Sequence, residues 1–213
     1  MGRVAGIDEA GRGPMLGPMV VAIVVCPEEK VPLLRNMGVR DSKALSPRRR
    51  LLLSRAIPSV GCSVKVRVVE PQEIDCAVRG ECYENLNHLE AAVFAQLINE
   101  VLSEGELEVV YMDSPDPVPS RFEERVRALL KGQVRIVAEN GADEKYTIVG
   151  AASIVAKETR DEIINALKKT YGDFGSGYPS DPRTLRFAEE WVRKHGEPPP
   201  IARKEWATWK RLR

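Results

Sequence analysis

Two apolar runs near the start of the chain constrain its fold more than any other feature. Residues 4–8 and 18–26 are almost continuous in small and branched apolar side chains, which is the pattern of buried strands. Further along, stretches typical of strands and of helices alternate. This order predicts an α/β protein with a mixed β-sheet flanked by helices.

The other elements are predicted from periodicity and capping residues. Ser46-Pro47 has the form of an N-cap followed by proline at the first helical position. The predicted strands are 62–69, 107–112 and 134–138, and the predicted helices are 46–57, 87–102, 120–131, 148–167, 182–194 and 203–212.

Length and composition narrow the class of protein. The 213 residues suffice for one domain with a proper core, or for a domain with a small appendage. The apolar runs are too short to span a bilayer and no signal-peptide pattern is present, so we expect a cytoplasmic protein without a membrane partner. The formal net charge is +1, so a nucleic-acid partner must be argued from local patches. The four cysteines form no C-x-x-C pair and are expected to be reduced structural thiols.

Four acids stand where apolar runs end: Asp8, Glu9, Asp113 and Asp143. Taken singly, an acid after a strand is often a helix cap or a turn residue. Together, four carboxylates balance the charge of two divalent cations about 4 Å apart. Because magnesium prefers oxygen ligands, the set predicts a two-metal site for phosphoester chemistry. Side chains alternate along a strand, so we also expect the strand to break at Asp8-Glu9.

A turn of sequence Gly11-Arg12-Gly13 directly follows the acid pair. Glycine has no Cβ, so the backbone of such a turn can approach a polyanion closely. Two-metal chemistry requires no histidine base. The two histidines, His88 and His195, are accordingly expected in structural or surface positions.

At these residues the sequence resembles the type 2 ribonuclease H (ribonuclease HII) family in its archaeal form. The resemblance begins with DEAGRGP at 8–14 and covers nearly the whole chain. The further matching motifs are RDSK at 40–43, YMD at 111–113, AD at 142–143, AASIVAK at 151–157 and GSGYPSDPRT at 175–184. Six ordered motifs at sensible spacing are far more specific than a lone Asp-Glu pair.

The resemblance implies a fold and an activity. It implies an RNase H-like catalytic domain over 1–180 and a small C-terminal helical extension over 181–213. The activity is hydrolysis of the RNA strand of RNA–DNA hybrids and cleavage on the 5′ side of single ribonucleotides embedded in duplex DNA. Products carry 5′-phosphate and 3′-hydroxyl ends, and the implied cofactors are two Mg²⁺ or Mn²⁺ ions. The implied role is ribonucleotide removal and RNA primer processing.

The family's functional residues carry over position by position. Asp8, Glu9, Asp113 and Asp143 match the catalytic metal ligands. Gly11, Arg12 and Gly13 match the turn that senses the ribose 2′-hydroxyl, and Tyr178 matches the residue that stacks on the sugar. This division is physically sensible, because the 2′-hydroxyl is what separates RNA from DNA and an aromatic ring packs well on a sugar face.

Several polar and basic residues are candidates for substrate contacts. They are Lys43, Ser153, Lys157 and Arg160, the last three of which share a helix face. Two basic stretches, 40–55 and 203–213, could face the duplex backbone. Trp206 and Trp209, within the second stretch, are expected to pack the last helix onto the body.

Two alternatives remain open at this stage. A type 3 ribonuclease H shares the fold but usually carries an extra N-terminal domain and lacks the arginine in the glycine turn. A non-catalytic nucleic-acid binding module would bind without turnover. Substitution of Asp8 would separate the two classes, because a nuclease would lose turnover but keep binding, whereas a binding module would lose nothing. The tail by which many archaeal relatives bind the sliding clamp is not seen here, so clamp contact is doubtful, and a monomer is expected.

Overall fold

The protein contains one five-stranded sheet, whose second strand along the chain is buried in all but its last residue. The computed structural model describes residues 2–39 and 44–212, so the RDSK motif and Lys43 lie outside the described residues. The strands are β1 (Arg3–Ala10), β2 (Met19–Pro27), β3 (Ser63–Val69), β4 (Val109–Asp113) and β5 (Arg135–Glu139). They form one mixed sheet in the order β3-β2-β1-β4-β5.

The directions of the strands bring three carboxyl ends to one edge of the sheet. β1 and β2 are antiparallel, as are β2 and β3. β1 and β4 run parallel, and so do β4 and β5. The carboxyl ends of β1, β4 and β5 therefore meet at the same edge, which is where open α/β sheets assemble their sites.

Helices cover both faces of this sheet. They are α1 (Val31–Asn36), α2 (Pro47–Ala56), α3 (Pro71–Val78), α4 (Leu86–Ser103), α5 (Pro119–Ala128), α6 (Ala142–Lys145), α7 (Thr147–Tyr171), α8 (Pro182–His195) and α9 (Ala207–Arg211). Met19, Val21 and Ile23 of β2 pack with α4 and α5 on one face. Val20 and Ala22 pack with α7 on the other, which explains why β2 is apolar without alternation.

The C-terminal segment forms a third core cluster with the loop after β1. Met15 and Leu16 pack there against Phe174, Ile201 and Trp209. This packing confirms that the segment lies against the body, as the tryptophans predicted. The proposed boundary at residue 180 stays a prediction.

The structure departs from the predicted elements at several points. The predicted helix 203–212 shortens to α9, and short helices α1, α3 and α6 were not predicted. The prediction of reduced cysteines is wrong for this structure: Cys26 bonds Cys62, and Cys76 bonds Cys82. The first pair is brought together by the antiparallel β2–β3 register, which ends next to both residues. Among the described residues, no helix is long and apolar enough to cross a membrane.

Candidate active site

The four predicted acids line one cavity at the carboxyl edge of the sheet. Asp8 and Glu9 lie near the end of β1, Asp113 ends β4, and Asp143 lies in the first turn of α6. The cavity has a volume of about 270 Å³ and is also lined by residues 10–13, Ser153, Lys157 and Tyr178. The chain thus brings together acids that are up to 135 positions apart in sequence.

The expected break of the strand at Asp8-Glu9 does not occur. β1 stays paired with β2 through Ala10, although its pairing with β4 ends at Ile7. Asp8 faces α7, where the Ser153 hydroxyl donates a hydrogen bond to its carboxylate. Glu9 faces α4, where Glu90 is a charged neighbour. Both acids still reach the cavity because it lies across the end of β1 and is open to both faces.

Burial and mutual repulsion dominate the electrostatics of this pair. Burial, and then the Asp113 charge, raise the pKa of Asp8 to about 8. Burial, and then the Asp8 charge, raise the pKa of Glu9 well above its usual value. Glu9 Oε2 is buried and accepts no hydrogen bond within the described structure. Such a site holds negative charge at a cost that a cation would remove.

Asp113 connects the parallel strands to the element that carries Asp143. Its Oδ1 accepts a hydrogen bond from the backbone N–H of Ala142 at 2.7 Å. The N–H of Ser114 donates to Glu139 O at 2.9 Å. The first bond fixes the start of α6 against the end of β4, and the second ties the ends of β4 and β5 together, so Asp143 is held beside the other acids.

The donor set suits a hard divalent cation. All four candidate ligands supply carboxylate oxygens, which Mg²⁺ and Mn²⁺ prefer. The partnerless buried oxygen of Glu9 is the position in the site that most needs a cation. Within residues 2–39 and 44–212, no group of three or more His, Cys, Asp or Glu side chains lies close enough together to hold an ion as placed.

The glycine turn adopts the conformation its sequence requires. Gly11 has a φ of +83°, which favours glycine, and a Cβ there would collide with the Arg160 side chain at 2.0 Å. A Cβ at Gly13 would lie 3.3 Å from the ring of Tyr178. Tyr178 is 39% exposed and lines the cavity beside the turn. The roles that the family resemblance implies for Gly11, Gly13 and Tyr178 stay predictions.

Arg12 is held by two residues of α4. Its Nε lies 2.9 Å and 3.0 Å from the two carboxylate oxygens of Glu90, and its Nη2 donates to Asn87 Oδ1 at 2.6 Å. Glu90 is completely buried, and burial raises its pKa to about 7 against the lowering effect of Arg12. Glu90 was not among the predicted site residues, although an acid between the apolar positions of a helix is a signal that the sequence contains.

The predicted basic contacts separate into two groups. Ser153 and Lys157 line the cavity. Arg160 does not: it is buried, and its guanidinium donates to the carbonyls of Pro18 and Leu16 at 3.0 Å and 3.3 Å. The structure therefore contradicts the expected phosphate contact of Arg160, because the atoms that would bind phosphate hold the loop after β1.

Fewer basic residues of the two predicted stretches are exposed than the sequence suggests. Arg50 is buried and paired with Glu158 at 2.7 Å and with Asp161 at 3.0 Å. Arg203 is fully buried. These two arginines serve the interior of the protein, so neither one is available to a duplex backbone.

Fold and site together define a class. A five-stranded mixed sheet in the order 3-2-1-4-5, flanked by helices, is the RNase H-like α/β fold, and the acids at its carboxyl edge occupy the position where such sheets assemble a site. The family model for ribonuclease HII matches residues 5–209. The chain belongs to this family of endoribonucleases, which cleave RNA in RNA–DNA hybrids and at embedded ribonucleotides.

Individual relatives agree over almost their full length. A ribonuclease HII of Pyrococcus abyssi is 47% identical over 210 residues, which cover 99% of this chain and 91% of the relative. The crystal structure of ribonuclease H2 from Pyrococcus horikoshii superposes with a TM-score of 0.89 at 43% identity, covering 99% of this chain and 96% of that one. The ribonuclease HII of Archaeoglobus fulgidus, solved in complex with PCNA, gives 0.85 at 40% identity and the same coverage.

The type 3 alternative is disfavoured by the same comparisons. Bst-RNase HIII, solved in complex with Mn²⁺, superposes with a TM-score of 0.77 but is only 21% identical, and the match covers 99% of this chain and 69% of that one. At this identity the likeness shows the fold alone. The type 2 interpretation of the sequence is confirmed.

Proposed function

We propose that the cavity at the carboxyl edge of the sheet is the catalytic site of this endoribonuclease. The observation that carries the proposal is that Asp8, Glu9, Asp113 and Asp143 line one cavity together with the Gly11–Gly13 turn and Tyr178. Cation ligands and a sugar-reading surface are therefore adjacent. A site that cuts beside a ribonucleotide needs both.

The four acids would hold two Mg²⁺ or Mn²⁺ ions. Support comes from the all-oxygen donor set, the partnerless Glu9 Oε2 and the raised pKa of Asp8. The manganese complex of the distant Bst-RNase HIII is consistent with this choice. When bound, two such ions supply Lewis-acid activation of the attacking water and of the leaving 3′ oxygen. Ser153 orients the Asp8 carboxylate through its hydroxyl.

The glycine turn and Tyr178 would select the sugar. Backbone groups of Gly11, Arg12 and Gly13 can approach a 2′-hydroxyl because no Cβ intervenes at the two glycines. The Tyr178 ring beside Gly13 offers a flat apolar surface for the sugar. The resulting specificity is cleavage of hybrids and of single ribonucleotides on their 5′ side, which leaves 5′-phosphate and 3′-hydroxyl ends.

Phosphate contacts would come from basic residues on the α7 side of the site. Lys157 lines the catalytic cavity. A second cavity of about 540 Å³ shares Asp143 and is lined by Arg35, Arg49 and Lys145. Cationic side chains next to the acids favour a path for the nucleic-acid backbone across this face.

Partners and location follow from the substrate. A nucleic-acid substrate supports a cytoplasmic enzyme of ribonucleotide removal and primer processing, and a monomer remains the expectation. Sliding-clamp contact is supported by the relative from Archaeoglobus fulgidus, which was solved in complex with PCNA. Titration of this chain with PCNA tests the contact: saturable binding supports it, and no binding counts against it.

The proposed site is tested by separating binding from turnover. The substrate is a DNA duplex that contains one ribonucleotide, assayed with Mg²⁺, with Mn²⁺ and with EDTA. We expect metal-dependent cleavage by the wild type, and loss of turnover with retained binding in Asp8→Asn and Asp113→Asn. Tight binding by the wild type without cleavage under either metal would instead support a binding module, and unaffected cleavage by both variants would place the site elsewhere.

A further inference from the structure

The carbonyls of the glycine turn are all held by the C-terminal segment. Arg203 donates from Nη1 to Arg12 O at 2.7 Å and from Nη2 to Gly11 O, while its Nε donates to Gly17 O at 2.9 Å. Trp206 Nε1 donates to Gly13 O at 3.0 Å. Three consecutive carbonyls therefore accept hydrogen bonds from two side chains that are about 190 positions away in sequence.

Arg203 is an unusual residue to find in this place. It is fully buried, and within the described residues it forms no ion pair. A buried charge is costly unless fixed hydrogen bonds compensate for it. Here the guanidinium fork matches a fixed pair of neighbouring carbonyls, which a lysine ammonium cannot do. Arg203 thus holds the carbonyls in fixed positions by hydrogen bonds and does not act through an ion pair.

The segment that carries Arg203 is itself anchored. Asp75 on α3 accepts from the backbone N–H groups of Lys204 at 2.8 Å and Glu205 at 3.0 Å. The Arg203 guanidinium lies 5.2 Å from the centre of the Trp206 ring, within the range of a cation–π contact. Both donors to the turn are consequently fixed relative to the body of the protein.

Fixing the carbonyls also fixes the amides. In a planar trans peptide the C=O of one residue and the N–H of the next point in opposite directions, and the structure contains no cis peptide among the described residues. With the carbonyls of Gly11 and Arg12 directed at Arg203, the N–H groups of Arg12 and Gly13 point away from the C-terminal segment. That direction is available to a ligand of the turn.

We propose that Arg203, assisted by Trp206, is a positioning residue for sugar recognition: it orients the Gly11–Gly13 turn so that the amides of Arg12 and Gly13 face the ribose. The inference rests on the proposed function of the turn. A duplex with one ribonucleotide offers a single 2′-hydroxyl, so the turn must be held in one position to contact it. A long hybrid offers one at every nucleotide and tolerates displacement.

The test compares kcat/KM on these two substrates. Arg203→Met should lower kcat/KM about tenfold or more for the single-ribonucleotide duplex, since several hydrogen bonds to the turn are lost. On a long hybrid the loss should be about threefold or less. Arg203→Lys should fall between Met and wild type, because an ammonium can serve one carbonyl but not the pair. Lys204→Met is the matched control, since it removes the neighbouring charge and should leave the ratio unchanged.

A second variant and the wild type distinguish failure of this inference from misfolding of Arg203→Met and from failure of the proposed function. Trp206→Phe removes the N–H that serves Gly13 and keeps an aromatic ring beside Arg203. It should shift the ratio in the same direction even if Arg203→Met does not fold, as judged by circular dichroism. Equal losses on both substrates for every folded variant would overturn the inference and leave Arg203 a structural residue. If the wild type itself showed no requirement for a ribonucleotide, the proposed function would fail first.

Discussion

Replacing Asp8 by asparagine should stabilise the metal-free protein while abolishing turnover. Burial, followed by the Asp113 charge, raises the pKa of Asp8 from 3.8 to about 8. Between these values the folded chain retains a proton that the unfolded chain has released. The contribution of Asp8 to the free energy of unfolding is therefore fully present below about pH 4. It falls as the pH rises to about 8 and does not change above that pH.

The size of the effect follows from the same pKa. One pKa unit corresponds to about 1.4 kcal/mol, so at pH 7 the wild type could lose at most about 4 kcal/mol through Asp8. Glu9 and Asp113 share the repulsion, and we expect a gain of about 1–3 kcal/mol in Asp8→Asn. For a chain of this size that corresponds to an increase of about 3–8 °C in Tm.

The assay is thermal unfolding in EDTA across about pH 5–8. Asp8→Asn should melt higher than the wild type at the upper end and show a shallower fall with pH. Added Mg²⁺ or Mn²⁺ should stabilise the wild type more at the upper end than at the lower, and should stabilise Asp8→Asn less.

Asp116→Asn is the matched control for the Asp8 variant. Hydrogen bonds from the Val118 N–H and from Arg125 lower the pKa of Asp116, so this variant should lose stability at neutral pH. An Asp8→Asn protein that melts below the wild type in EDTA, with the same pH slope, would refute the reasoning.

Three further outcomes are expected. Gly6→Ala should destabilise the fold by more than about 2 kcal/mol in chemical denaturation, because its Cβ would lie 2.2 Å from a backbone oxygen of α7; a smaller loss would mean that α7 can move. Glu90→Gln should raise KM for the single-ribonucleotide duplex about tenfold, because it weakens the contact that holds Arg12. An unchanged KM would show that the Arg12–Glu90 pair does not contribute to substrate binding. Reduction of Cys26–Cys62, which closes a 36-residue separation, should cost about 3–4 kcal/mol, whereas an unchanged Tm in reductant would show that the bond is not formed in solution.

Local sequence patterns predicted the strands of the sheet, and they singled out four acids that line one cavity. The strands, the Ser46 cap and the long helices depend on periodicity and capping, which are local signals. Ser46 does accept a hydrogen bond from the N–H of Arg49. Asp8, Glu9 and Asp113 could be singled out because they follow apolar runs directly, and Asp143 because it lies in the loop after one.

Residues that act across the fold were not predictable in the same way. Arg160 and Arg203 have the sequence context of surface basic residues, yet both are buried on backbone carbonyls. Every residue has a backbone carbonyl, so no sequence motif marks the residue whose carbonyl accepts such a hydrogen bond. The pairing of Cys26 with Cys62 likewise depends on the register of β2 and β3, which becomes known only once the sheet order is known.

The strand break expected at Asp8-Glu9 failed for a related reason. The alternation argument assumed that both carboxylates must leave from one face of the sheet. The cavity instead lies across the end of β1, where β4 no longer pairs, so residues on opposite faces reach it.

The most direct test of the central claim is the position and chemistry of the cut. A duplex with one ribonucleotide, labelled at each end in turn, is incubated with the wild type and Mg²⁺, and the product ends are mapped. We expect a single metal-dependent cut on the 5′ side of the ribonucleotide, with 3′-hydroxyl and 5′-phosphate ends, and no cut by Asp8→Asn. Cleavage on the 3′ side with a 2′,3′-cyclic phosphate, or cleavage that persists in EDTA, would contradict it.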